Sequence, residues 1–222
     1  MSQPTDHDHA SGHAHHHDHD HDHDRTFVPD EEDSLGFYAL AEAAVRELLQ
    51  ERGIFDGAEV RQALEWYDNT TPAQGARIVA RAWTEPEFKH KLMTDPTAAV
   101  AEYGVQTGHV QLYVVENTPA LHNVIVCTLC SCYPRPLLGI PPDWYKSRSY
   151  RSRVVTEPRA VLSEFGTHIA EDVEVRVHDS TADLRYLVLP MRPAGTEDWD
   201  SAALQTLVTR DTMIGVSVPT TA

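Results

Sequence analysis

From Ser34 onward the apolar positions recur at helical spacing. Leu35, Tyr38, Ala41, Val45, Leu48 and Leu49 stand three or four residues apart, the apolar face of an amphipathic helix, and Gly53 is its natural stop. A second helix is predicted from Asp56, with Glu59 three positions on in capping-box spacing. Thr71-Pro72-Ala73-Gln74 and Thr84-Glu85-Pro86-Glu87 repeat the same kind of start, an N-cap followed by an early proline and an acidic or amide residue. Asp95-Pro96 opens one more short helix, closed by Gly104. Beyond Gly104 the period changes. Val110 to Glu116 and His122 to Val126 are rich in β-branched and aromatic residues and predict strands. Val173, Val175 and Val177 alternate with charged residues, and Tyr186 to Leu189 follows a polar turn, which predicts a hairpin. Tyr145 to Val155, Pro158 to Phe165 and Ala202 to Val208 are predicted helices. The pattern describes an α+β chain: a helical arm over 34–104, then a mixed α/β domain over 105–222 that carries a cysteine loop.

Residues 1–33 differ in kind. His7, His9, His13, His15, His16 and His17 alternate loosely with Asp6, Asp8 and Asp18, and the alternation continues to Asp24. Almost nothing apolar precedes Phe27, so burial cannot offset ordering entropy and a disordered tail is expected. Imidazole and carboxylate together bind divalent transition metals. The plainer readings are a solvated tail or an expression tag, although a tag is usually an unbroken histidine run.

Composition narrows the function classes. Hydrophobic residues at 41% and charged residues at 23% are ordinary for a soluble globular protein. No run approaches the roughly 18 apolar residues of a membrane helix, and the N-terminus has no apolar signal-peptide core. A cytoplasmic location is therefore expected. The net charge of −16, with no basic stripe, repels phosphate backbones and argues against nucleic acid.

The three cysteines lie together between positions 127 and 132. An odd number argues against a disulfide framework. Cys127, Cys130 and Cys132 follow Val124-Ile125-Val126, the end of a predicted strand. Thiolates favour thiophilic metals, but structural zinc wants four ligands, and no histidine is closer in sequence than His122. The Cys130-Ser131-Cys132 step places a backbone amide between two sulfurs. A metal on all three thiolates would lie against the main-chain nitrogens of Ser131 and Cys132, strong donors when deprotonated and suited to a trivalent ion. Spacing alone leaves three readings open. They are this five-donor site with one free position, a structural zinc or incomplete cluster, and unliganded cysteines.

Val126-Cys127-Thr128-Leu129-Cys130-Ser131-Cys132-Tyr133-Pro134 resembles the metal claw of nitrile hydratase α subunits. The likeness continues through Pro141-Pro142, Trp144-Tyr145-Lys146-Ser147, Tyr150-Arg151-Ser152-Arg153, Arg185-Tyr186 and Thr209-Arg210-Asp211, and covers roughly residues 34 to 218. The resemblance implies a Co(III) or Fe(III) centre held by Cys127, Cys130, Cys132 and the amide nitrogens of Ser131 and Cys132. It implies Cys127 as thiolate, Cys130 as sulfinic acid and Cys132 as sulfenic acid, successive rungs of thiol oxidation. Thr128 and Tyr133 resemble the cobalt branch. The implied reaction is hydration of a small nitrile to an amide by Lewis-acid activation, with either an activated water or the Cys132 sulfenate oxygen attacking. The implied partner is a β-type subunit, in a heterodimer or a higher heteromer, whose arginines stabilise the oxidised sulfurs.

Two departures stand out. Nitrile hydratases usually carry tryptophan where this chain has Arg135, whereas Tyr133-Pro134-Arg135-Pro136 is similar to the γ subunit of thiocyanate hydrolase, so Arg135 is a candidate pocket residue for an anion or else a partner contact. The family's Gly-Pro-Gln-Gly run is absent; Gly108 falls at that place, with Gln106 and Gln111 nearby. Arg151 and Arg153 are candidates to brace the claw or an interface, and Trp144 and Tyr145 read as packing residues. The competing class is a non-catalytic metal-binding protein, which would surrender its metal to a chelator. Deleting residues 1–26 is expected to leave turnover of an already metal-loaded enzyme unchanged, measured as kcat per bound metal; lost turnover would give the tail a catalytic role.

Overall fold

The computed structural model describes residues 35–221, and the expectation made for the His/Asp-rich segment falls outside them. Five helices come first: α1 (Leu35–Glu51), α2 (Gly57–Asn69), α3 (Ala73–Thr84), α4 (Pro86–Thr94) and α5 (Pro96–Ala101). Strands β1 (Gln111–Glu116) and β2 (Leu121–Val126) follow, then α6 (Arg135–Leu138), α7 (Asp143–Lys146), α8 (Arg148–Arg153) and α9 (Pro158–Glu164). The described chain ends with β3 (Glu174–Asp179), β4 (Leu184–Leu189), α10 (Ser201–Thr206) and α11 (Arg210–Ile214). The α+β class read from the sequence holds.

Local chemistry explains most starts and stops. The Asp56 carboxylate accepts from the Ala58 and Glu59 amides at 2.8 Å, and Glu59 accepts in return from the Asp56 N–H, a complete capping box. Thr84 does not cap α4. It ends α3, its hydroxyl donating back to the Ala80 and Arg81 carbonyls, while Pro86 sets the first turn of α4. The single helix predicted from Tyr145 to Val155 is broken at Ser147. Its hydroxyl donates to the Trp144 carbonyl at 2.8 Å and accepts from the Tyr150 N–H at 3.1 Å, so a serine that could continue a helix caps a new one instead. The short helices α6 and α11 carry no sequence periodicity. In α11 the capping box uses Thr212 where Glu or Gln is usual.

The predicted hairpin does not form. β1 pairs with β4 and β2 with β3, both in parallel, as two two-stranded sheets. Val124-Ile125-Val126 and Leu187-Val188-Leu189 are fully or almost fully buried, the continuous apolar run of a parallel strand covered on both faces. The turn after β3, where the Thr181 N–H donates to the Leu184 carbonyl, therefore carries the chain from one sheet to the other.

One core joins α3 to both sheets and to α7, α8, α9 and α11; Ile78, Ile125, Tyr145, Tyr150, Leu162 and Met213 have no exposed surface. The arm's first helices stay outside it. Phe37, Tyr38 and Leu40 of α1 are 70–73% exposed, and α2 buries no residue. The apolar face predicted for α1, with Tyr38, Val45 and Leu48 more than half exposed, thus has nothing among the described residues to cover it. Among the described residues no helix is long and apolar enough to cross a membrane.

Gly215 ends α11 with φ +92°, where a Cβ would lie 2.0 Å from the Asn123 carbonyl oxygen of β2. Gly53 also has positive φ but open space around it. Gly215→Ala is expected to cost more than about 3 kcal/mol through backbone displacement, and Gly53→Ala about 1 kcal/mol from conformation alone. Urea unfolding of both variants checks the difference, and equal losses would count against the close approach.

Candidate metal centre

β2 and β3 run parallel and end together, Val126 opposite Asp179. Outside the carboxyl ends of parallel strands is where chains of this kind place their chemistry, and Cys127 is the next residue. Its side chain is fully buried, Cys132 is half-buried and Cys130 is exposed. The three sulfurs lie within 4.8 Å of one another, with Cys127 Sγ 3.5 Å from Cys130 Sγ and Cys130 Sγ 3.3 Å from Cys132 Sγ.

Side chains from three elements hold this loop. Asp179, at the end of β3, accepts from the Thr128 N–H at 2.9 Å and from the Thr128 hydroxyl at 2.6 Å. Arg151 of α8 makes a long 3.5 Å contact to the Thr128 carbonyl. The buried Tyr145 of α7 donates to the Cys132 carbonyl at 2.9 Å and packs edge-on against Tyr133. Burial raises the Tyr145 hydroxyl far above its ordinary range, so it remains a donor. Trp144 and Tyr145 sit in an aromatic cluster with Tyr150 and Phe165, the packing role expected. Arg153 does not reach the loop; it is paired with Glu157 and Glu164.

The thiols share their protons unevenly. Cys130 lies below its ordinary value, chiefly because the Cys132 S–H donates to it, with smaller help from Cys127 and from the backbone N–H groups of Ser131 and Cys132. Cys132 is pushed up to about 12 by burial and by the same hydrogen bond to Cys130, against the field of Arg185. Mutual hydrogen bonding and burial thus set one thiol below and one above the ordinary range, and a bound cation would replace the thiol protons. The backbone N–H groups of Ser131 and Cys132 also hydrogen-bond the Cys130 sulfur, so they lie beside the three thiols.

A cavity of about 400 Å³ opens over Cys130, Ser131 and Cys132. Arg135, exposed at the start of α6, lines it, its guanidinium 5.8 Å from the ring centre of Tyr67. Trp66, Tyr67 and Arg185 also line it. Sequence reasoning missed them, because residues on α2 and β4 carry no spacing that points to the cysteines; only the likeness of the Arg185-Tyr186 run marked one of them. Gln106 and Gln111 are exposed and line no part of this cavity.

The family model for nitrile hydratase, alpha chain, matches residues 37–217. The chain belongs to the nitrile hydratase alpha-chain family. It is 52% identical over 182 residues to the low-molecular weight cobalt-containing nitrile hydratase subunit alpha of Rhodococcus rhodochrous, covering 80% of this chain and 87% of that one. It is 43% identical over 194 residues to the thiocyanate hydrolase subunit gamma of Thiobacillus thioparus, covering 82% and 80%. A solved structure of an Fe-type nitrile hydratase double mutant from Comamonas testosteroni Ni1 superposes with a TM-score of 0.78 at 42% identity, over 84% of this chain and 92% of that one. The resemblance drawn from the cysteine loop is borne out, and the chain is a nitrile hydratase alpha chain with a cysteine metal site.

Asp179→Ala removes both acceptors for Thr128, a loss of about 1–3 kcal/mol localised at the start of the loop. Cys127 of the metal-free variant is expected to react with a thiol reagent at least several-fold faster than in the parent chain. An unchanged Cys127 labelling rate would show that the loop is held without Asp179.

Proposed function

We propose that this chain is the metal-bearing subunit of a heteromeric enzyme that hydrates small nitriles to amides at Co(III), with Cys127, Cys130, Cys132 and the amide nitrogens of Ser131 and Cys132 as ligands. One observation carries the reading. With metal–sulfur bonds of about 2.3 Å, neighbouring sulfurs are about 3.3 Å apart on an octahedron and about 3.8 Å apart on a tetrahedron. The spacings of 3.3 and 3.5 Å let one ion reach all three sulfurs. The amides of Ser131 and Cys132 beside Cys130 would add the donors of an octahedral set, where structural zinc would want a fourth side chain. Thr128 and Tyr133, and the cobalt named in the Rhodococcus relative, favour cobalt over Fe(III).

Exposure supports the oxidation pattern. Oxidation follows thiolate character and access, and the order exposed Cys130, half-buried Cys132, buried Cys127 matches sulfinic acid, sulfenic acid and thiolate. Bound there, a trivalent metal supplies Lewis acidity toward the nitrile. The chain's own part is to orient and to desolvate. Tyr145 and Asp179 fix the loop, Val110 and Leu112 give the cavity apolar walls, and the field of Arg185 stabilises negative charge on Cys132. Ser131 and Cys132, at the cavity floor, are the catalytic positions. The uncovered apolar face of α1 supports docking of a β-type partner, in a heterodimer or higher heteromer. Arg135 in the cavity favours a second reading, the γ-type subunit of a thiocyanate hydrolase.

Purification with its partner should yield two polypeptides. Cobalt should resist prolonged chelation, and Cys130 and Cys132 should be heavier by two oxygens and one. The assembled enzyme should convert acrylonitrile to its amide, and the isolated chain should do so poorly per metal. Carbonyl sulfide and ammonia from thiocyanate, with no amide from acrylonitrile, would select the thiocyanate reading, and metal lost to the chelator would select a non-catalytic carrier.

A further inference from the structure

Among the described residues, two arginines line the cysteine cavity and no carboxylate does. In a protein of net charge −16, an acid-free cavity holding two cations is a local reversal of the surrounding field, and low-dielectric walls strengthen such a reversal. The two arginines are not equivalent. Arg185 is tied down by the backbone, its guanidinium donating to the carbonyls of Thr181, Ala182 and Leu184, and it is the arginine whose field reaches Cys132. Arg135 makes no hydrogen bond or ion pair from its guanidinium among the described residues. Its one partner is the Tyr67 ring, a face contact that uses none of its N–H donors. A planar fork of donors beside an apolar wall suits a carboxylate held bidentately.

We propose that Arg135 makes this cavity selective for nitriles that carry a carboxylate, the carboxylate paired with the Arg135 guanidinium while the nitrile nitrogen faces the cysteine cluster. This rests on the nitrile hydratase reading and narrows its substrate class. Val110, Leu112 and the Tyr67 ring would pack the carbon chain between the two ends. Hydration itself is unchanged: water adds across the triple bond, and the carboxylate leaves as it came.

The test compares kcat/KM of the assembled, cobalt-loaded enzyme on 3-cyanopropanoate and 4-cyanobutanoate with that on their neutral primary amides, in the parent enzyme and in Arg135→Gln and Arg135→Lys. The parent should favour the better-fitting anion by about tenfold, about 1.4 kcal/mol, mainly through KM. Arg135→Gln should bring the ratio near unity, and Arg135→Lys, which keeps charge but loses the fork, should retain part of it. Amide formed from both partners with equal efficiency in the parent overturns the selectivity while leaving the nitrile hydratase reading intact. Conversion of thiocyanate with no amide from any nitrile overturns that reading, and this substrate class with it. The cobalt absorption spectrum and the rate of cobalt loss to a chelator are read on the same variants. If Arg135→Gln shifts these and leaves the substrate ratio alone, Arg135 is a counter-ion for the oxidised sulfurs and the proposal fails.

Discussion

Because Val126 stands opposite Asp179 in a parallel register, the Asp179 carboxylate arrives beside Thr128, and the cysteine loop begins from a fixed point. An antiparallel β3–β4 hairpin would not bring β3 alongside β2, and the loop would start from an unsupported strand end. Each further contact builds on that start. Tyr145 can reach the Cys132 carbonyl because Ser147 breaks the predicted helix and lets α7 turn its tyrosine inward. Tyr150, the first buried residue after the break, donates to the Ile125 carbonyl and ties α8 to the same strand. The loop that carries the sulfurs is thus anchored by the strand pairing that ends at Val126, immediately before Cys127, and at Cys132 by a tyrosine two residues before a serine cap.

That dependence explains what was legible in the sequence. The helices of the arm were readable because their signals are local: Asp56 with Glu59, Pro86, Pro96 and a three-four spacing of apolar residues. The cysteine site was readable for the same reason, since its three cysteines lie within six consecutive positions. Strand pairing was not. Alternation in Val173, Val175 and Val177 reports one covered face, and nothing in that pattern says whether the neighbour is β4 or β2. Buried runs such as Leu187-Val188-Leu189 do carry a hint of parallel pairing, and a reading that weighed it above the short polar turn would have avoided the hairpin. Arg185, Trp66 and Tyr67 were invisible as site residues because tertiary packing alone brings β4 and α2 to the cysteines.

Charge gives the site its second constraint. Three deprotonated sulfurs and two deprotonated amides carry more negative charge than a trivalent metal cancels, so a bound centre of this kind needs cations near it. Arg185, whose field reaches Cys132, is anchored on three carbonyls that leave its charge uncancelled. Among the described residues Arg135 has only the Tyr67 ring as a partner, so the two arginines differ in how firmly they are held.

The uncovered face of α1 belongs to the same logic. A helix presenting Phe37, Tyr38 and Leu40 to water gains nothing from tertiary packing, and most helices draw their stability from such packing. Its apolar spacing therefore fits a surface that something outside the described residues covers. The cavity shows the complementary deficit: the cysteine loop forms its floor and Val110 and Leu112 part of its wall, yet Cys130 in that floor remains exposed. Reaction of an exposed, low-lying thiol with oxidants is difficult to stop at sulfinic acid without cover. Cover for the helix and cover for Cys130 are therefore both things the described residues do not supply, and a subunit seated on this side of the chain would supply both.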